Sequence, residues 1–228
     1  MKAKKTPMSL GTVLLLVAAV GLLIFSGIGG ARAALNYISD TVAMRISTSD
    51  IGLTMLENGK EVGDGVLLSG MEETIAPGKS YDEVLTLHNS GAIDEYVRIT
   101  LYRYWTVGEN KQTTLTPELI EIGELGEGWA ADESASTPER TVYYYTKPLA
   151  PGESTTPLCE SLRLSSDVLS SVTVSEDGTA ATYDYNDTSF VLQAEADGVQ
   201  ARNAQDAILS AWGLQADVDN SGKLTLKQ

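Results

Sequence analysis

In the stretch SYDEVLTLHNSGAIDEYVRITLYRYW, residues 80–105, side-chain character alternates at every second position. Leu85 and Leu87 oppose Val84 and Thr86. After the polar connection NSGAID, Val97, Ile99, Leu101 and Trp105 oppose Tyr96, Arg98, Thr100, Tyr102 and Tyr104. A period of two sends alternate side chains to opposite faces of an extended chain, so the stretch reads as strand, connection, strand. The second strand offers an apolar face for a core and an opposite face that is aromatic and basic.

The residues just before it, APGKS (76–80), resemble the end of a phosphate-binding loop, but Glu73 stands where the first glycine is needed, and a strand follows instead of a helix. A second copy, APGES (150–154), carries Glu153 in place of the lysine. The shared element is Pro-Gly, which favours a type II turn because Pro pre-sets φ and Gly accepts a positive φ. Both copies therefore read as turns that feed strands.

The pattern continues outward. SDIGLTMLENG (49–59) ends in the hairpin signal Asn58-Gly59, and TVYYYTKPL (141–149), TPLCESLRLS (156–165), SSVTVSED (170–177) and TSFVLQAEADGV (188–199) supply further strands. Turn signals recur about every ten residues, as in sandwiches and jelly rolls. The stretch 106–140 reads as polar loop with a helical turn near TPELIEIGEL. One helix is signalled in ARNAQDAILSAWG (201–213): Asn203 as N-cap, Ala204, Ala207, Ile208, Ala211 and Trp212 as one stripe, and Gly213 as the stop. The expectation is an all-β, jelly-roll-like antiparallel β-sandwich over 51–228 with one short C-terminal amphipathic helix, 204–212.

The first 33 residues read as a signal peptide: basic MKAKK, apolar VLLLVAAVGLLIF (13–25), then SGIGG and ARA. Ala31 and Ala33 are the small residues that a signal peptidase requires, with cleavage before Ala34; an uncleaved membrane anchor is the alternative. The leader carries Lys2, Lys4, Lys5 and Arg32 and no acid, so its removal takes the net charge from −15 to −19. So acidic a surface argues against nucleic acid or anionic lipid as partners. Cys159 is the only cysteine, which rules out an intrachain disulfide, and its strand setting marks a small core residue.

Candidate chemistry is sparse. The one histidine, His88, adjoins a turn and cannot supply a paired zinc motif, and there is no G-x-S-x-G elbow. Nothing positions a carboxylate pair, so no enzyme and no catalytic residue is assigned. In DVDNSGKLTLKQ (217–228), Asp217, Asp219 and Ser221 match early calcium-loop positions, but Gln228 stands where the bidentate glutamate belongs. A hairpin turning at 220–222 is the favoured reading, with weak calcium binding as the alternative and no other cofactor. Of Trp105, Trp129 and Trp212, only Trp129, in polar surroundings, reads as free to stack on a sugar.

Three stretches, GGARAALNYISD (29–40), APGKSYDEVLTLHNSGAIDEYVRITL (76–101) and AEADGVQARNAQDAILSAWG (194–213), resemble the TasA/camelysin family of secreted Gram-positive proteins. The resemblance implies export through a dedicated signal peptidase and a jelly-roll-like sandwich. It further implies a structural role in extracellular matrix or biofilm fibres, with copies of the chain and other matrix proteins as partners. Fibre subunits of the family are joined by donor-strand exchange, which would make residues 34–50 the donor, with Ile38, Val42, Met44 and Ile46 as its apolar side chains. Ser39-Asp40 and Arg45 would keep that segment soluble while unpaired. Camelysin itself is described as a metalloprotease; without a zinc-binding histidine motif here, that activity does not carry over. The competing reading is a monomeric cell-surface module that binds carbohydrate.

Overall fold

The computed structural model describes residues 51–63, 65–68, 75–175 and 181–227. The signal segment with Ala31, Ala33 and Ala34, and the candidate donor residues Ile38, Val42, Met44 and Ile46, lie outside the described residues. The described chain opens with the hairpin β1 (Leu53–Glu57) and β2 (Lys60–Glu61), turned by Asn58 at φ 49° and Gly59 at φ 77°. Two positive φ angles match the right-handed twist of a hairpin, which is why Asn-Gly signals one. β3 (Ser80–Asp82), β4 (Leu85–Asn89) and the long β5 (Glu95–Val107) follow, as the 80–105 stretch predicts. β6 (Asn110–Gln112), β7 (Ile120–Ile122), β8 (Trp129–Thr137), β9 (Arg140–Tyr145) and β10 (Ser161–Leu164) come next. The short pair β11 (Val172–Val174) and β12 (Ala181–Tyr183) precedes a second long strand, β13 (Thr188–Gln200). Helix α1 (Ala204–Trp212) and the hairpin β14 (Ala216–Val218) and β15 (Leu224–Leu226) complete it.

Two layers result. One is the sheet β13-β5-β9-β8, with β6 against the end of β5. β5 and β13 pair antiparallel along their whole length, from Thr188↔Val107 to Gln200↔Glu95. The other layer joins β2-β1-β4 to β3-β10-β7, because residues 153–160 run beside β4: Thr155 N–H donates to Leu87 O, Leu158 N–H to Leu85 O, and Glu83 N–H to Glu160 O. The inward faces meet in a core that includes Leu85, Leu87, Val97, Ile99, Leu101, Trp105 and Leu162. Over the described residues this is the expected all-β antiparallel sandwich with one α-helix.

Both Pro-Gly turns form as read. Gly78 and Gly152 have φ of 80° and 79°, and Lys79 N–H and Glu153 N–H close the turns onto Ala76 O and Ala150 O at 3.2 and 3.0 Å. Gly78 N–H also donates to Leu164 O (2.7 Å), and Gly152 N–H to Asn89 O (2.8 Å). Each turn therefore caps the far end of the strand that the other one launches. The repeated pentapeptide records a pseudo-two-fold pairing of 80–89 with 154–164, with the two turns at opposite poles of the sandwich.

Several local expectations are corrected. The stretch 106–140 is not loop: it contains β6, β7 and β8, the last hidden by the polar outward residues of an edge strand. The outer face of β5 is not simply solvated, since Tyr96, Val142, Tyr144 and Val199 form a second core beneath Ala204 and Ile208 of α1 and Leu214, Ala216 and Leu224 of the C-terminal hairpin. Helix α1 has the predicted limits, but Asn203 sits at φ 55°, ψ 44° and makes no side-chain cap bond. Ala211 is exposed, because the hairpin covers only the Ala204–Ile208 side. Gly213, at φ 67°, stops the helix as predicted.

Candidate functional site

At the pole marked by Pro77-Gly78 the two layers part. Trp105 and Phe190 are cross-strand partners on β5 and β13, meeting edge to face with centroids 5.8 Å apart. The indole N–H of Trp105 donates to Thr116 O (3.0 Å), which fixes the ring. Opposite them stand Leu164, Val168 and Leu169 from the end of β10 and the 3₁₀ turn after it, with Leu68, Ile75 and Pro77 along the side. The result is an apolar groove of about 540 Å³, and Leu169 on its rim is 47% exposed.

One edge of β13 adds main-chain capacity. Leu67 N–H donates to Leu192 O and Ala194 N–H to Gly65 O, so even-numbered residues face away from β5. The outward groups of Ala196, Gly198 and Gln200 continue that phase and have no backbone partner among the described residues. Ile51, where the described chain begins, lies against Gly198.

A second concavity, about 630 Å³, crosses the outer face of the large sheet. Its floor is the polar phase of β5, and Trp212 of α1 forms one wall. Arg98 lies 5.2 Å from the Trp212 ring centre and pairs with Asp197 through Nε at 2.9 Å; the Tyr102 hydroxyl donates to Glu195 (3.1 Å). Tyr144 tilts against Trp212 at 5.3 Å. Asp132 Oδ1 accepts from Ser134 N and Oγ and from Ala135 N. The charges here are largely satisfied by one another.

Two inward positions of the 80–105 stretch are acidic. Glu83 and Glu95 are 1% and 0% exposed, and no oxygen of either carboxyl has a hydrogen-bond partner among the described residues. Burial pushes Glu95 up to about 7. Burial, followed by the neighbouring Glu57, pushes Glu83 up to about 8. The inward phase of both was readable from Tyr81, Leu85 and Leu87 and from Val97-x-Ile99, but acids at core positions had no partner in the sequence to explain them.

The other candidates are placed plainly. Asp217, Asp219 and Ser221 lie on the β14–β15 hairpin: Asp219 Oδ1 accepts from Ser221 N (2.8 Å), Ser221 Oγ (2.6 Å) and Lys223 N (2.9 Å), locking the turn. Those bonds, the Ser221 hydroxyl first, hold the Asp219 carboxyl below the usual carboxylate range. Asp217 instead pairs with Lys227 at 2.6 Å. His88 sits on β4, one residue from its end, with Nδ1 3.1 Å from Ser154 Oγ. Cys159 is buried, its thiol pushed up to about 12 by desolvation, so it is an inert core residue. Trp129 is not free: it opens β8, is 7% exposed, and donates its indole N–H to Thr156 O (2.9 Å). Trp212, assigned from sequence to the buried stripe, is the tryptophan beside a groove.

Comparison of the chain with protein-family models, with curated proteins and with solved structures gave no match.

Proposed function

We propose that this chain is an exported structural subunit that polymerises head to tail into an extracellular fibre, residues 34–50 of one copy adding a strand to the next. The observation that carries the reading is the separation of two features along β13. The chain enters at Ile51 beside Gly198, whereas the apolar groove opens at Phe190. Eight residues of strand put them about 27 Å apart. A contact between opposite poles is heterologous, and if its rotation does not close, it generates a filament. Val42, Met44 and Ile46 alternate at period two and present one apolar face, which suits a groove lined by aromatic and branched side chains. Cleavage before Ala34 by a signal peptidase frees the segment outside the cell. The partners are further copies and other matrix proteins, with no cofactor and no catalysis required.

The test is deletion of residues 34–46 from the cleaved protein, followed by negative-stain microscopy, sizing and thermal melting. The expected result is a folded monomer that makes no fibres, where the intact chain makes them. Persistent fibres, or a large fall in melting temperature, defeat the proposal. A second reading, a carbohydrate-binding surface module, draws on the outer groove with Tyr102, Tyr144 and Trp212. It requires glycan binding by the monomer that Trp212→Ala abolishes.

A further inference from the structure

Glu57 at the end of β1 and Glu83, two residues before Glu57's cross-strand partner Leu85, are neighbours, Glu83 buried and Glu57 half-buried. Tyr81, Glu83, Leu85 and Leu87 share the inward phase, as do Leu53, Met55 and Glu57 on β1. Glu57 and Leu85 are cross-strand partners, and Asn58 ties the strands further: its Oδ1 accepts from Val84 N–H at 2.9 Å. Glu57 Oε1 accepts the backbone N–H of Leu68 at 2.5 Å. Leu68 sits at φ 64°, a left-handed conformation that costs a branched residue roughly 1–2 kcal/mol and so needs holding. The side chain of Leu68 lines the apolar groove.

We propose that Glu57 and Glu83 are a carboxyl pair sharing one proton, and that this proton, through the Glu57–Leu68 bond, keeps the Leu68 wall of the apolar groove in place. Two carboxylates cannot hydrogen-bond to each other, whereas an acid and a carboxylate can; this accounts for buried Glu83 oxygens that form no hydrogen bond of good geometry among the described residues. Besides burial, the groups acting on Glu83 are the Glu57 carboxyl, which raises its pKa, and the Asn58 side chain, which lowers it; Cys159, whose thiol donates to the Glu83 carbonyl at 3.4 Å, stays neutral. No lysine, arginine or histidine among the described residues contributes to its shift. A divalent cation fits the pair poorly. Glu57 Oε1 and Asn58 Oδ1 are already spent on backbone N–H groups, and calcium takes about six to eight oxygens. With the proton lost, the buried Glu83 charge and the half-buried Glu57 charge repel, Glu57 is driven toward solvent, and Leu68 is released. The burial-raised value of about 8 for Glu83 puts that change in mildly alkaline conditions.

The link to fibre growth rests on the polymer reading above; the pair does not. The test is amide hydrogen exchange at Leu68 in the cleaved chain between pH 6 and 9, corrected for base catalysis, for the native protein, Glu83→Gln and Glu57→Gln. The native protein should lose Leu68 protection at least tenfold as pH rises through about 8. Glu83→Gln, which keeps a donor but cannot ionise, should hold protection across the range, and Glu57→Gln should remove the pH step. PH-independent protection in the native protein, or the same step in Glu83→Gln, overturns the proposal. Recovery of protection at pH 9 on adding calcium chloride would identify a cation site and overturn it as well. If the step is found and no fibres form at any pH, the polymer reading fails while the proton-sharing pair stands.

Discussion

Gly152 holds φ at 79° with nothing within 4 Å of where a Cβ would stand, so the cost of a side chain there is purely conformational. Gly152→Ala should destabilise the domain by about 1 kcal/mol, measured by urea titration with an unchanged m-value. Lys79 in the matching turn donates its backbone N–H to the turn and sets its ammonium 4.6 Å from the Tyr81 ring centre, so Lys79→Ala should cost at most ~1 kcal/mol. Glu95 makes a sharper case. Its pKa is raised by burial from 4.5 to about 7 in the fold, so between those values the folded chain binds more protons than the unfolded one. Its contribution is therefore fully present below about pH 4.5 and is lost as pH rises through about 7. Stability should fall by on the order of 2–3 kcal/mol between pH 5 and 8 from this group. Glu95→Gln should flatten that part of the profile, and an unchanged pH dependence of the melting temperature in the variant would refute the assignment.

Helix α1 is legible in sequence because a 3.6-residue stripe and a glycine stop act locally, within one turn of chain. Which side of that stripe is buried is not local. The β14–β15 hairpin covers Ala204 and Ile208 and leaves Ala211 exposed. Ile208→Ala should accordingly cost about 2–5 kcal/mol through a cavity under the helix, whereas Ala211→Glu should be nearly neutral; melting curves of the two variants decide it. The hairpin itself is held by Asp219 across its turn and by the Tyr96 hydroxyl, which donates to Gly222 O at 2.7 Å. That last bond spans most of the folded chain. Sequence spacing identifies the turn, but not the strand it docks on. β8 reads as loop for a related reason: its polar Glu133 and Ser134 fall in an irregular stretch between paired Asp132 and Thr137, while β9 pairs residues 129–132 and Trp129 packs inward against Tyr145.

On the scale of the whole molecule, the groove and the chain entry stand at opposite poles, and the proposed polymer depends on that polarity. Leu169→Asp places a charge on the groove rim at a residue already 47% exposed, so the fold should survive with an unchanged melting temperature. Fibre growth should be abolished, because a buried unpaired carboxylate at the contact costs several kcal/mol. Normal fibres from this variant, seen by microscopy, would place the contact elsewhere. The period-two strands of 80–105, both Pro-Gly turns, the Asn-Gly hairpin and the limits of α1 are legible in the amino acids alone, because φ preferences, alternation and the glycine stop act over a few residues. Long-range packing is what makes the two Pro-Gly turns cap each other's strands and covers β5 on both faces at one end. It alone moved Trp129 into the core and Trp212 to a groove, and set Glu57 against Glu83. Those outcomes depend on pairing between segments tens of residues apart. Such pairing is chosen by which surfaces exclude water together, a choice no short window of sequence contains.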